Sequence, residues 1–306
     1  MTTSSLQLDG TTPRTDMART IWHIGYPKCA STSLQRNFFA ISPSLNYVSV
    51  HVPNGQENDF SRDPRSDAFF RSLQSVVFDS TRSDALWDDH VRHAISSQGV
   101  TVISHELILN SSRTLNEKID FIRSRGRDPV IFILYREPHE IIRSYYDYIP
   151  YDAFGGDSRT VLDIKTWINK CRSAGDRFIW EALRFERIFP GIEEKLPGSM
   201  IISLSEARRN RSLLASFFGV PRVEIDNFFA APPENAASSS GLKKFSRRLL
   251  RRKRPSDFLS RRKIEYIERI TGRIMPSTKS RLDDASLQAI RQDFQETYAY
   301  LEARRA

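Results

Sequence analysis

Four short runs in this chain are apolar at nearly every position: Thr20 to Gly25 (TIWHIG), Gly99 to Ser104 (GVTVIS), Pro129 to Tyr135 (PVIFILY) and Ser199 to Leu204 (SMIISL). A strand with one wet face alternates apolar and polar residues, whereas a strand covered on both faces does not. These runs therefore predict parallel strands buried between two layers of helix. Asn46 to Val50 reads as a weaker further strand. Helical spacing predicts helices over 30–40, 66–79, 84–97, 115–125 and 138–149, two more within 161–187, and one over 206–218 closed by Gly219. Such alternation gives an α/β fold: a doubly wound parallel sheet of four to five strands, flanked by helices.

The chain has 306 residues, 39% of them apolar and 11% aromatic, which is enough to build one large core. No apolar run approaches the ~18 residues of a membrane helix. Residues 1–18 are polar and Ser/Thr-rich, without the apolar stretch of a secretory signal, and read as a disordered tail. Residues 19–306 then form a single domain. Within it, 230–255 is a Pro/Ala/Ser-rich loop followed by a basic helix, and 256–306 is a helical C-terminal elaboration. Leu287, Ile290, Phe294, Tyr298 and Leu301 share one face of the last helix. The two cysteines, Cys29 and Cys171, cannot make a disulfide framework, so a reducing, cytoplasmic setting is expected.

The segment most informative about chemistry is Ile24 to Gln35, IGYPKCASTSLQ. A strand enters a tight loop at Gly25, small residues follow, and a helix begins. Unpaired N–H groups and the positive helix end converge on such a loop, which favours an anion. An ATP-binding loop, G-x-x-x-x-G-K-[ST], would need Gly at Ala30 and Lys at Ser31, and the sequence has neither. Its lysine stands three residues earlier, at Lys28. A small P-loop kinase is the alternative reading, and the misplaced lysine argues against it.

The pattern P-K-x-[GA]-[ST]-T-S-L-Q after a strand resembles the 5′-phosphosulfate loop of sulfotransferases that use 3′-phosphoadenosine-5′-phosphosulfate (PAPS). A second segment, Ile131 to Tyr148 (IFILYREPHEIIRSYYDY), resembles the same family's 3′-phosphate motif: strand, Arg136, Pro138, then a helix with Ser144. Ser203 to Gly219 and the Asn235, Ser238 to Ser240 region resemble later family segments more loosely. The likeness runs over roughly two-thirds of the chain. It implies a P-loop NTPase-like core, PAPS as co-substrate, PAP as product and no metal. It assigns Lys28, Cys29, Ala30, Ser31, Thr32 and Ser33 to the phosphosulfate, Arg136 and Ser144 to the 3′-phosphate, and Lys243 and Lys244 to covering the nucleotide. Ala30 stands where Gly is commoner.

Sulfuryl transfer also needs a base for the incoming hydroxyl. His105 and Glu106 follow directly on the strand Gly99 to Ser104, at the carboxyl end where open α/β sheets bind ligands. Neighbours leaving a strand point oppositely, so one faces the pocket and the other orients it. Many bacterial members of the family this chain resembles have a similar Ser-x-Glu after this strand, which favours Glu106, with His105 the second candidate. His90 and His93 lack a third ligand and read as a solvated helix face, and His139 as exposed. Tyr145, Tyr146, Tyr148 and Tyr151 line the acceptor channel or belong to the core.

Lys+Arg outnumber Asp+Glu 46 to 37, a net charge of +9, and Lys243 to Arg254 (KKFSRRLLRRKR) alone carries eight cations. The excess is local. This stretch covers the nucleotide, takes an anionic acceptor, contacts anionic membrane at the inner face, or is simply a solvated basic helix. A non-enzymatic binder of anionic polymer or membrane is therefore a further alternative. The acceptor class expected from the resemblance is a carbohydrate or glycolipid, with no specific nucleic acid. Oligomeric state is not encoded in readable form.

Overall fold

A computed structural model describes residues 18–50, 52, 58–96, 98–106, 108–110, 113–148, 162–174, 179–231 and 282–305. The expected disordered tail, the 232–255 segment with Lys243 and Lys244, and Tyr151 lie outside the described residues. Five strands, β1 (Arg19–His23), β2 (Leu45–Val48), β3 (Val100–Ser104), β4 (Pro129–Tyr135) and β5 (Met200–Ser203), form one sheet in the order β2-β3-β1-β4-β5. All four pairings are parallel. The expected doubly wound sheet is therefore present.

Side chains alternate between two cores. Ile21, Val102, Val130, Phe132, Leu134 and Ile202 face one layer, while Trp22, Ile24, Ile103, Ile131, Ile133 and Ile201 face the other. Both sets are apolar because both faces are covered, which is why the strands show no polar alternation. The first layer holds the helix after β1, made of α1 (Ser31–Leu34) and a π-helical continuation (Gln35–Phe39). It also holds α10 (Leu204–Arg209), α11 (Arg211–Phe218) and α12 (Arg222–Ala230).

The opposite layer is larger. It contains α3 (Pro64–Gln74), α4 (Ser80–Asp89), α5 (Leu115–Arg123), α6 (Pro138–Tyr148), α7 (Ile164–Ser173), α8 (Ile179–Ala182) and α9 (Phe185–Lys195). A short α2 (Asp59–Arg62) precedes α3. Two C-terminal helices, α13 (Asp284–Asp293) and α14 (Gln295–Arg305), pack on this layer through Ile290, Phe294 and Leu301.

Several boundaries differ from the sequence reading, each for a local reason. The expected helix 66–79 ends at Gln74, because Asp79 caps a new helix by accepting from the Arg82 N–H. The expected helix 84–97 stops at His90 and continues as a 3-10 turn over Val91–Ala94. Asn210 divides 206–218 into α10 and α11, and Phe294 divides the expected last helix into two. The second of the two helices expected within 161–187 runs on as α9 to Lys195, with Pro190 in its interior.

Candidate functional site

The strand order puts β1 at the centre with β3 and β4 on either side. The chain leaves β1 towards β2 on one flank and passes from β3 to β4 on the other, so the crevice opens at the carboxyl ends of these three strands. Lys28 follows β1, His105 and Glu106 follow β3, and Arg136 follows β4. Three segments far apart in sequence thus deliver the expected residues to one place.

The loop after β1 is tightly constrained. A Cβ on Gly25 would lie 2.7 Å from both His23 Nε2 and Ser31 Oγ, so only glycine fits. Lys28 and Ala30 have φ of 69° and 66°, in the left-handed region that side chains other than glycine's enter at a cost. Left-handed residues interleaved with others turn successive N–H groups towards one point, an anion-binding concavity. Ala30 is the N-cap of α1 and offers no side-chain cap, so the first-turn N–H groups of Ser31, Thr32 and Ser33 have no side-chain acceptor from it. The Ser31 hydroxyl is taken up inside the loop, donating to the Tyr26 carbonyl at 3.0 Å, so only its backbone N–H is left to face an anion. Ser33 is half-buried at the start of the same helix.

Cys29 is buried, and desolvation pushes its thiol up to about 12, against the lowering effect of the Arg136 charge and main chain. It is a packing residue and not a thiolate. The same contact ties the loop to the end of β4. At that end Arg136 has its Nε buried without a hydrogen-bond partner among the described residues. The plain surface alternative, pairing with a neighbouring glutamate, does not occur: Glu137 instead meets Arg305 at 3.2 Å and His139 at 3.5 Å. Ser144 is half-buried two turns along α6.

At the end of β3 the two base candidates separate. His105 is buried, stacked on Phe70 at 4.8 Å, and its backbone N–H donates to the His23 carbonyl at 3.0 Å. The Gln74 amide hydrogen-bonds its Nε2, so that lone pair is already engaged. Glu106 faces the loop and accepts from Thr32 Oγ1 at 3.3 Å. Burial raises its pKa above the ordinary carboxylate value, opposed by the Thr32 bond and the Lys28 charge. A carboxylate made more basic by desolvation is suited to take a proton.

A polar network not anticipated from the sequence braces the ends of β1 and β3. His23 Nδ1 shares a 2.7 Å hydrogen bond with Ser104 Oγ, which also accepts from Gln35 Nε2 at 3.0 Å. His23 is fully buried and its pKa falls to about 3 through desolvation, so it stays neutral. Lys118, fully buried on α5, donates to the Ile108 carbonyl at 3.3 Å and holds the turn beyond Glu106; burial pulls its pKa down to about 8. The Gln of the S-L-Q sequence and the His at the end of the first strand were the available signals.

Beside Glu106 opens a cavity of about 580 Å³ lined by Thr32, Gln35, Arg36, Val50, Asp67, Arg71, Gln74, His105 and Glu106. Of the tyrosines expected in a channel or in the core, the structure describes the side chains of two. Tyr145 is buried in the core, and Tyr146 packs on Trp167 and donates to the Leu162 carbonyl at 2.8 Å. His139 is not exposed but half-buried, bonded to the Tyr298 hydroxyl at 2.8 Å. His90 is likewise no solvated face residue, being stacked on Phe60 at 4.8 Å and bonded to Ser66 at 2.6 Å. Among the described residues no group of three or more His, Cys, Asp or Glu is arranged to hold a metal ion, and no helix is long and apolar enough to cross a membrane. No protein-family model and no curated protein matches the chain.

Proposed function

We propose that the protein is a PAPS-dependent sulfotransferase acting on a hydroxyl of an acceptor, with carbohydrate or glycolipid as the acceptor class. The observation that carries this reading is Arg136, a buried guanidinium nitrogen without a partner among the described residues, at the same crevice as the constrained loop. A buried donor on a cation is costly to leave unmade, and a phosphate would satisfy it bidentately.

In this reading the backbone N–H groups of Ala30 to Ser33 and the Lys28 ammonium hold the 5′-phosphosulfate, while the Cys29 N–H stays on the Tyr26 carbonyl at 3.3 Å. Arg136 and Ser144 hold the 3′-phosphate, and Lys243 and Lys244 cover the nucleotide. Glu106 accepts the acceptor's hydroxyl proton while that oxygen attacks sulfur from the cavity side. The bond from sulfur to the 5′-phosphate oxygen breaks, and PAP leaves with the electron pair. Lys28 and the loop N–H groups stabilise the charge that grows on that phosphate. Thr32 orients the carboxylate, and His105 supports its neighbour by packing. The cytoplasm, where the thiols stay reduced, is the proposed setting.

Thermal unfolding with ligands tests this. PAP should raise the midpoint in a concentration-dependent way, and transfer of label from PAPS to a hydroxyl acceptor should follow. Stabilisation by ATP with Mg²⁺, and none by PAP, would overturn it in favour of a kinase.

A further inference from the structure

The cavity beside Glu106 has a lining that restricts what it can hold. Of its nine side chains only Val50 is aliphatic; the rest are Thr32, Gln35, Arg36, Asp67, Arg71, Gln74, His105 and Glu106. A largely apolar acceptor such as a steroid or a phenol would strip water from these groups and return hydrogen bonds only through its one hydroxyl, a cost of about 1–3 kcal/mol for each group left unsatisfied. A molecule dense in hydroxyls would replace the water bond for bond. The lining therefore favours a hydrophilic, polyhydroxylated ligand.

The outer wall is more specific. Asp67 and Arg71 stand one turn apart on α3 and form an ion pair at 2.7 Å, with side-chain exposures of 51% and 74%. An exposed pair of this kind contributes little to stability. It does present a carboxylate acceptor and a guanidinium donor side by side. Two hydroxyls on adjacent carbons match that arrangement, one donating to Asp67 and its neighbour accepting from Arg71. Gln74, one further turn along the same helix, lines the cavity floor and donates to the Glu106 carbonyl at 3.4 Å. Helix α3 therefore connects the wall to the residue proposed as base.

We infer that this cavity is a saccharide subsite in which Asp67 and Arg71 clamp a vicinal diol and so direct another hydroxyl of the same ring towards Glu106. The step from binding to transfer rests on the sulfotransferase reading; the binding itself does not. Free saccharides and glycolipid headgroups share the chemistry.

Saturation-transfer NMR on the full chain, with and without PAP, tests it using methyl β-glucoside, octyl β-glucoside, 2-naphthol and periodate-cleaved, borohydride-reduced methyl glucoside. Ring protons of the intact glucosides should show transfer, and the cleaved sugar, which keeps hydroxyls but no vicinal diol, should not. Asp67→Asn and Arg71→Gln should each weaken glucoside binding about tenfold while leaving the fold unchanged, since both side chains are exposed. A stronger signal for octyl than for methyl glucoside assigns the site to a glycolipid headgroup, and equal signals assign it to free saccharide. Preferential saturation of 2-naphthol, absence of glucoside signal, or unchanged binding in both variants would overturn the inference. Failure of PAP binding alone would remove the transfer reading and leave the saccharide site standing.

Discussion

The C-terminal layer and the strand-end crevice treat their arginines in opposite ways. Where α13 and α14 pack on the body, cations meet carboxylates: Arg172 pairs with Asp293, Arg304 with Glu193 at 2.7 Å, and Arg305 with Glu137 at 3.2 Å. Arg184 lies 3.3 Å from Glu181 and donates through its Nη1 to the Asp293 carbonyl, although its buried Nε makes no hydrogen bond among the described residues. In the crevice Arg136 is part-buried, and its Nε finds no partner among the described residues. The first region uses its charges to hold helices together; the second keeps a hydrogen-bonding capacity that the chain itself does not fill. Arg136 is set apart from the other arginines with an unpartnered Nε by its place at a strand end beside a strained loop, which is what the proposed phosphate site would use.

The largest effects should come from breaking the crevice. Lys28→Ala is expected to lower turnover by about a hundredfold or more with a smaller change in PAP affinity, read from single-turnover kinetics and calorimetry. Near-normal turnover would remove Lys28 from the transition state. Glu106→Gln should lower transfer by about 10²–10⁴ while PAP still binds. His105→Asn should lose less. The reverse ranking would move the role of base to His105.

Glu106 also offers a stability test. Its pKa is raised on folding, so its contribution is fully present below the unfolded value and is lost as pH rises through the folded one. Glu106→Gln should therefore unfold at a slightly higher temperature than wild type at neutral pH, although inactive. His23 has the opposite profile. Its folded pKa of about 3 lies below the ordinary 6.5, so the folded state loses stability as pH falls from about 6.5 towards 3. His23→Gln should flatten acid unfolding over that window, and an unchanged profile would contradict the buried, neutral assignment.

The sequence made the sheet legible because each strand is short, β-branched and covered on both sides. The shared location of Lys28, Glu106 and Arg136 was legible because all three stand just beyond the carboxyl ends of buried strands, while the roles proposed for Lys28 and Arg136 come from the resemblance. The cavity wall proposed to hold a saccharide was not: Asp67 and Arg71 at four-residue spacing look like any surface ion pair until the fold brings α3 to the same cavity as Glu106. The network of His23, Ser104 and Gln35 was equally hidden, since its members come from three segments. Helix ends were misplaced where a cap such as Asp79, or a turn such as that at Asn210, overrode the periodicity. The helix read as ending at 187 runs past Pro190, because packing of Phe185, Ile188, Phe189 and Ile192 outweighs the one lost backbone bond.

Two smaller substitutions sharpen the contrast between the regions. Arg136→Met should stabilise the ligand-free protein by about 1 kcal/mol, because it removes an unsatisfied buried donor. Arg304→Met should destabilise it by a similar amount, because Glu193 and Tyr300 lose their partner. Chemical denaturation of both variants reads the difference; equal signs would end the contrast. Ala30→Gly should gain at most about 1 kcal/mol by relieving the left-handed strain at φ 66°.

In the proposed reading, Arg136 awaits the 3′-phosphate of a nucleotide whose 5′ end lies in the loop after β1. Calorimetric titration of the wild-type protein with PAP and with AMP, repeated on Arg136→Ala, tests it most directly. The two ligands differ only in the 3′-phosphate. PAP should bind wild type at least about tenfold more tightly than AMP, as one charge-assisted contact warrants, and the variant should bind both alike. Equal affinities in wild type would contradict the account.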